Sequence, residues 1–183
     1  MYTARVKRTR LDHHPCSIAR TLDVVGEWWT PLILRDVAYG LRRFGELEED
    51  LGVASNVLSD RLETLVREGL LETRPYQLRP ERHEYFLTEK GLDLLPALIA
   101  LMRWGDRWTW DDRGPVRVVH EDCGGDVAVE LRCPRCEREV DPAELRAMPG
   151  SAVADPPRES EPGYLSGRRL YGAAAGVALG RST

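Results

Sequence analysis

Apolar residues recur at helical spacing through the first part of the chain. They predict a first helix over residues 17–29, because positions 18, 22, 25 and 29 lie on one face. Thr30 and Pro31 then favour a new start, with threonine as the N-cap and proline at the first helical position. The second helix carries an apolar run and ends at Gly40.

Two further helices follow, separated by a short turn. Phe44, Leu47 and Leu51 form the apolar stripe of the first, which Gly52 closes. Ser55 is the expected N-cap of the second helix. Its apolar face is formed by Leu58, Leu62, Leu65 and Val66. Its outward positions near the start are polar: Asn56, Ser59, Asp60, Arg61 and Glu63.

Alternating residues predict two strands over residues 70–74 and 83–88. The segment between them contains prolines and arginines and is interpreted as a loop too long for a tight hairpin. Thr88 is then expected to cap a long last helix, which Pro96 bends without ending it. Apolar residues cover more than one face of this helix, so the surplus face needs a second partner.

This order of elements is typical of a winged helix-turn-helix, a mainly α fold with a small β-hairpin wing. We assign it to residues 15–110, preceded by a flexible basic arm over residues 1–14. Residues 116–145 hold cysteines and a histidine and are interpreted as a small zinc-ribbon-like extension. Residues 149–183 are rich in Pro, Gly, Ser, Ala and Arg, which predicts a disordered tail.

The overall charge does not itself indicate a nucleic-acid partner. The net charge is −4 and the pI about 5.7, whereas DNA-binding domains are usually basic. The positive charges are clustered, however, and the field of a local surface attracts DNA more than the average does. Lys7 and Lys90 are the only lysines, so nearly every cation is a guanidinium suited to bidentate contacts.

The sequence has no apolar run long enough to span a membrane and no apolar signal core at its N-terminus. We therefore expect a cytoplasmic protein without membrane association. In that compartment the four cysteines are expected to be thiols or metal ligands, not a disulfide framework.

Several motifs occur in the order found in one family of regulators. They are Pro15-Cys16-Ser17-Ile18, Gly26-Glu27-Trp28-Trp29-Thr30, Ile33-Leu34-Arg35-Asp36, Arg43-Phe44-Gly45-Glu46-Leu47, Leu58-Ser59-Asp60-Arg61-Leu62 and Tyr85-Phe86-Leu87-Thr88-Glu89-Lys90-Gly91. Over residues 15–110 the chain closely resembles the HxlR family of bacterial transcriptional regulators. The resemblance implies a homodimer that pairs through its terminal helices and binds double-stranded DNA at an inverted-repeat operator. It also puts Cys16 at the position of a cysteine that senses electrophiles or oxidants in some members.

The recognition helix and the wing supply the DNA-binding candidates. Asn56 and Arg61 are expected to read base edges, since asparagine pairs with adenine and arginine with guanine. The other candidates are Ser55, Ser59, Arg79 and Arg82 as phosphate contacts, and Arg43 at the same interface. The alternative is an ordinary solvated helix face, which the acidic residues Asp60 and Glu63 would suit.

Cys16 lies at the start of the first helix, with Arg20 one turn later and His13 and His14 before it. A helix N-terminus and nearby cations favour the thiolate form, which a redox or electrophile sensor needs. The alternative is a small side chain that packs between the arm and the helix.

The extension contains the pattern His120-x2-Cys123-x9-Cys133-x2-Cys136. Three thiolates and one imidazole make a closed tetrahedral set, which is the form of a structural zinc site. A segment this small has little core of its own, so the metal would supply folding energy. The alternatives are free thiols or a degenerate ribbon that has lost its ion.

The five tryptophans divide into two groups. Trp28 and Trp29 are expected in the core. Trp104, Trp108 and Trp110 are expected at a dimer interface, with a small-molecule pocket as the alternative.

We therefore expect a transcriptional regulator, a repressor, that leaves its operator when a small ligand or modification of Cys16 shifts the long helices. The first alternative is a winged-helix protein-interaction module that does not bind DNA. The second is a small thiol- or zinc-dependent enzyme, although no signature of a hydrolase or of a phosphate-binding loop is present.

Overall fold

The computed structural model describes residues 10–11 and 16–148. Its elements in chain order are α1 (Ser17–Val25), α2 (Trp29–Ala38), α3 (Phe44–Leu51), α4 (Ser55–Arg67), β1 (Leu71–Leu78), β2 (Glu81–Leu87), α5 (Glu89–Leu92), α6 (Leu95–Thr109) and a 3-10 turn (Pro142–Glu144). The chain divides into two compact units, Met1–Val127 and Ala128–Thr183. The boundary between them falls inside the predicted extension. The predicted tail and all of the predicted arm except Arg10 and Leu11 lie outside the described residues.

The first helix is shorter than predicted. It ends at Gly26, whose N–H donates to the carbonyl of Leu22 (2.9 Å), and α2 begins at Trp29. Thr30 was expected as an N-cap, but it lies inside the first turn of α2, is buried, and donates its backbone N–H to the Glu27 carbonyl (3.0 Å). Pro31 is tolerated there because the first-turn N–H groups have no partner within the helix.

The next two helices form the expected helix-turn-helix. Gly52 ends α3 in the left-handed conformation (φ 59°), as predicted. Ser55 was expected as the N-cap of α4, but Ala54 holds that position and Ser55 is the first helical residue. The hydroxyl of Ser55 donates instead to a carboxylate oxygen of Glu48 on α3. This contact joins the two helices across their turn.

The core of the first unit is built from residues of the helices, of the first strand and of the two turns that flank α4. Its buried apolar members are Ile33, Leu34, Val37, Leu47, Val53, Leu58, Leu62, Leu65, Leu70 and Leu71. The inner face predicted for α4 supplies three of them, and Val66 packs partly buried against the same cluster. Burial of this face fixes which side of α4 remains outside.

The wing is a tighter hairpin than predicted. β1 and β2 pair antiparallel from Leu71–Leu87 to Leu78–Glu81, and Arg79 and Pro80 alone form the turn. The prediction of a long loop is wrong because most of the residues between the predicted strands are themselves paired. A bulge between Pro75 and Gln77 accommodates the irregular position. Proline is compatible with β1 because an edge strand does not need every N–H in the ladder.

After the wing, the chain forms two helices where one was predicted. Thr88 caps α5 as expected, with its hydroxyl oxygen accepting the N–H of Gly91 (3.1 Å). The helix stops after Leu92, and Pro96 lies in the first turn of α6, so it does not bend a continuous helix.

Residues 88–91 are bound to the end of α4. The Thr88 hydroxyl donates to the Gly69 carbonyl (2.6 Å), and Lys90 Nζ donates to the carbonyl of Glu68 (2.6 Å). A Cβ at Gly91 would lie 2.3 Å from the carbonyl oxygen of Leu70, so only glycine allows this close approach. The start of α5 and the end of α4 therefore form one tightly joined corner.

Large apolar side chains remain exposed on two helices. α1 has no buried residue and exposes Ile18 and Leu22. Trp28, expected in the core, lies just before α2 and is 88% exposed. α6 exposes Leu101, Trp104 and Trp108. No helix in the described part of the chain is both long and apolar enough to cross a membrane.

Candidate nucleic-acid interface

The outward face of α4 is the surface where base-reading side chains were predicted. Asn56 is exposed in its first turn, and Ser59 is half-buried one turn later. Arg61 is less available than predicted, because its side chain is 21% exposed and its Nη1 lies 3.8 Å from Glu27 Oε1. Asp60 and Glu63 are exposed on the same helix. Asn56 is therefore the predicted base reader that the fold leaves most open.

The tip of the wing carries two exposed guanidinium groups. Arg79 lies in the hairpin turn and Arg82 next to it on β2, and both are exposed. Among residues 10–11 and 16–148, no carboxylate forms an ion pair with either side chain. Both are thus available for the phosphate contacts predicted for them.

Arg43 connects α3 to the wing. Its Nε donates to Glu84 Oε1 (2.9 Å), and its guanidinium stacks over the ring of Tyr76 at 4.4 Å. The hydrogen bond to Glu84 raises the pKa of Arg43 above its ordinary value. Arg43 and Glu84 also form a backbone bridge, so a short segment before α3 runs beside β2. Arg43 holds the wing against the helix-turn-helix, besides any contact with DNA.

Four residues that contribute to this arrangement were not predicted as site residues. Glu46 Oε2 accepts the N–H groups of Arg42 and Arg43 (both 2.9 Å), which lowers the pKa of its carboxyl group and fixes the start of α3. The guanidinium groups of Arg42 and Arg74 lie 4.3 and 4.2 Å from the centre of the Phe86 ring. The contact of Glu46 could have been predicted from the sequence, because a carboxylate three residues after Arg43 is the pattern of a capping box. No sequence pattern indicates the stacking on Phe86.

Cys16 is a free, exposed thiol immediately before α1. Its carbonyl accepts the N–H of Arg20 (3.1 Å), which puts the residue at the helix N-terminus as predicted. His13 and His14, the other predicted neighbours, lie outside the described residues. A reagent in solution can reach this thiol, and its role as a sensor stays a prediction.

The first half of the predicted zinc ligand set lies in a tight turn of the first unit. His120 Nδ1 is 3.4 Å from Cys123 Sγ. The N–H of His120 donates to the Gly125 carbonyl (2.8 Å), and the N–H of Gly124 donates back to the His120 carbonyl (2.8 Å). Gly124 has a positive φ of 69°. This turn brings the two side chains together.

The second half lies in a turn of the same construction within the second unit. The N–H of Cys133 donates to the Arg138 carbonyl (3.0 Å), and the N–H of Glu137 donates back to Cys133 (2.8 Å). Glu137 has a φ of 58°, the counterpart of the glycine in the first turn. Backbone N–H groups of Cys136 and Arg135 lower the pKa of the Cys133 thiol, which favours a thiolate.

The four predicted ligands are divided between the two units, with two in each. Within the described ranges, no group of three or more His, Cys, Asp or Glu side chains is positioned to hold a metal ion. The tetrahedral zinc set therefore stays a prediction from the sequence spacing.

Comparison with known proteins identifies the family. Residues 24–113 match the profile of the HxlR-like helix-turn-helix family. The uncharacterized HTH-type transcriptional regulator Rv3095 of Mycobacterium tuberculosis is 44% identical over 135 residues, which cover 73% of this chain and 85% of that protein. The uncharacterized HTH-type transcriptional regulator YvaP of Bacillus subtilis is 34% identical over 90 residues, covering 49% of this chain and 83% of its own.

Two solved structures share the fold. The crystal structure of PA1607, a candidate transcription factor, has a TM-score of 0.68 and 36% identity, covering 76% of this chain and 98% of its own. PA1374 of Pseudomonas aeruginosa, also a candidate transcription factor, has a TM-score of 0.57 and 39% identity, covering 76% and 96%. These findings confirm the predicted winged helix-turn-helix and the family resemblance. The chain belongs to the HxlR-like helix-turn-helix family of transcriptional regulators.

Proposed function

We propose that the protein binds a DNA operator, with α4 in the major groove and the wing on the backbone. The observation that carries the proposal is the division of α4 into two faces. Leu58 and Leu62 are buried in the core, whereas Asn56 is exposed in the first turn, where recognition helices contact base edges. The relatives named above as transcriptional regulators support the same function.

The active form in this proposal is a homodimer that acts as a repressor at an inverted repeat. The exposed apolar side chains of α1 and α6 support a second copy as partner, since several large apolar side chains left exposed on a helix can be covered by an interface. The two recognition helices would then lie about 34 Å apart, one turn of the double helix.

Affinity in this proposal depends strongly on the wing. Asp60 and Glu63 are exposed on α4 and repel phosphates, whereas Arg79 and Arg82 have no acidic partner in the described part of the chain. The wing therefore supplies the attraction that α4 itself lacks, and the contribution should be strongly salt-dependent.

We further propose that modification of Cys16 switches the regulator. The thiol is exposed at the start of α1, a helix in which no residue is fully buried. Modification can alter DNA binding only if it favours one state of the dimer over the other. A bulky or charged group at the proposed dimer surface would have that effect.

One experiment tests both proposals. We expect binding to the DNA next to the protein's own gene, measured by fluorescence anisotropy, to fall by about 10³–10⁵-fold between 50 and 200 mM salt if 6–10 phosphates are contacted. Treatment with iodoacetamide should weaken this binding. Cys16→Ser is the matched control and should bind equally well with and without the reagent.

The control is necessary because Cys123, Cys133 and Cys136 are also free thiols. If Cys16→Ser loses affinity on alkylation as the wild-type protein does, the switch does not lie at Cys16. If no DNA from the adjacent region binds with a salt dependence, the operator proposal fails and a protein-interaction module is favoured.

We also propose that His120, Cys123, Cys133 and Cys136 bind a structural zinc ion. The ligand spacing and the shared construction of the two turns support it. Protein purified without chelator should contain about one zinc per chain by elemental analysis, and Cys133→Ser should lose it. Cys16→Ser should retain the metal, and zinc-free wild-type protein would refute the proposal.

A further inference from the structure

A cavity of about 510 Å³ lies between α2, the end of α3 and α6. Its walls carry three carboxylates, those of Asp36, Asp50 and Asp106, and Trp110 contributes an aromatic wall. We call it the acidic cavity. Its volume lies within the range of small-molecule sites, and such sites in all-helical domains often lie between helices. The function derived above makes no use of it.

Asp36 is the unusual member of this cavity. The residue is 2% exposed, and its Oδ1 accepts Arg35 Nε at 2.7 Å. Its Oδ2 is buried and has no hydrogen-bond donor among the described residues. Burial raises the pKa of this carboxyl group, and the hydrogen bond from Arg35 opposes that rise. A buried carboxylate oxygen without a donor is unfavourable, so an incoming N–H group gains by pairing with it.

The charges around Asp36 do not balance. Arg35 Nη2 lies 2.6 Å from Asp36 and 3.3 Å from Asp50 Oδ2, so one guanidinium serves two carboxylates. Asp106 adds a third carboxylate and is 9% exposed. Its Oδ1 lies so close to Gly114 that a Cβ there would come within 1.8 Å. The cavity thus has two more acids than bases among its lining residues, which favours a cation.

A second cavity of similar volume, about 510 Å³, continues the first along the groove between α2 and α6. The two share Arg35, Tyr39 and Met102 in their walls. The remaining lining of the second cavity is largely apolar, including Leu98 and Ile99. A ligand that fills both would carry its charge at one end and an apolar body at the other.

We propose that the acidic cavity binds an organic cation, a protonated primary or secondary amine on an apolar or aromatic body. The ammonium donates to Asp36 Oδ2 and is balanced by Asp106. Trp110 and Tyr39 line the same cavity, where an aromatic ring can contact the cation. The apolar body occupies the adjoining groove. Control of DNA binding by this ligand rests on the proposed operator function, whereas binding itself does not.

The test is calorimetric titration of the full-length protein without DNA. The probe is 2-phenylethylammonium, compared with neutral 2-phenylethanol, with 3-phenylpropionate and with calcium chloride. We expect saturable binding of the ammonium alone. Asp106→Asn and Asp36→Asn should weaken it about 10- to 100-fold, because each removes a charged partner. Asp93→Asn removes an equal charge from an exposed position outside both cavities and should bind as the wild type does.

Three results would overturn the site. They are no saturable binding of the ammonium, equal binding of the neutral alcohol, and unchanged binding by Asp106→Asn. Because Asp36 is buried, Asp36→Asn can fail to fold; Asp106→Asn then decides alone. Operator affinity is measured separately with and without the ammonium. Binding without an effect on DNA confirms the site and refutes its use as an effector site.

Discussion

Replacing Asn56 with alanine is expected to weaken binding to the cognate operator by about 1–3 kcal/mol, which corresponds to a loss of roughly 5- to 150-fold. Asn56 is exposed in the first turn of α4, and its amide can donate to and accept from an adenine edge at the same time. Alanine removes both bonds. The preference at one base pair per half-site should relax, which a set of single-base operator variants measures by anisotropy.

Arg79→Ala is the variant to compare with Asn56→Ala. Arg79 lies in the turn of the wing and is expected to contact phosphate, so its loss should weaken binding to all sequences alike. The slope of log affinity against log salt should fall by about 1 for this variant and remain unchanged for Asn56→Ala. If both variants lose the same fraction of affinity on every operator variant, Asn56 does not read a base.

Replacing Leu62 with alanine is expected to lower the free energy of unfolding by about 2–5 kcal/mol. Leu62 lies on the inner face of α4 and is 1% exposed, so alanine leaves a cavity under the recognition helix. A loss of this size is a large part of the stability of an ordinary domain. Urea denaturation followed by circular dichroism measures it.

Leu78→Ala is the matched control for that prediction. The same three carbon atoms are removed, but Leu78 is 80% exposed at the end of β1. Its free energy of unfolding should stay within about 0.5 kcal/mol of the wild type, as for most surface substitutions. Equal losses from both variants would contradict the position of Leu62 in the core.

The helix-turn-helix could be predicted from sequence because its apolar period reflects burial directly. Leu58, Leu62 and Leu65 recur at helical spacing along α4, and all three are in the core. Helix ends were predicted less well. Thr30 has the residue type of an N-cap, but its hydroxyl is buried inside α2, and the cap preference gave way to packing. A helix end was predicted correctly where a glycine adopts a positive φ, as Gly52 does at the end of α3.

The wing was correctly predicted as a hairpin of two strands, but the strands are longer and the turn is shorter than predicted. Prolines at 75 and 80 favoured a loop, since proline cannot donate to a strand ladder. A two-stranded sheet has only edge strands, so Pro75 fits beside a bulge and Pro80 fits the turn. The number of strands beside a residue decides whether proline is tolerated, and the sequence does not reveal that number.

The ion-pair partners of the charged side chains could not be predicted because they are distant in sequence. Helical geometry points Arg61 outward, yet it lies near Glu27 of the segment before α2. Arg43 pairs with Glu84, 41 positions away. The sequence does contain one indication of the acidic cavity. Asp36 interrupts an apolar run in α2, and a charged residue at such a position is rarely buried without a partner.

The corner where residues 88–91 bind the end of α4 couples this helix to α5. α4 has 13 residues, so its length is about 20 Å, and Asn56 lies at the end opposite the corner. The bonds from Thr88 and Lys90 to the carbonyls of Gly69 and Glu68 attach α5 to the far end of this rod. We therefore expect a displacement of α5 to move the attached end of α4 and, because core residues hold the middle of this helix, to change the position of Asn56 at its other end.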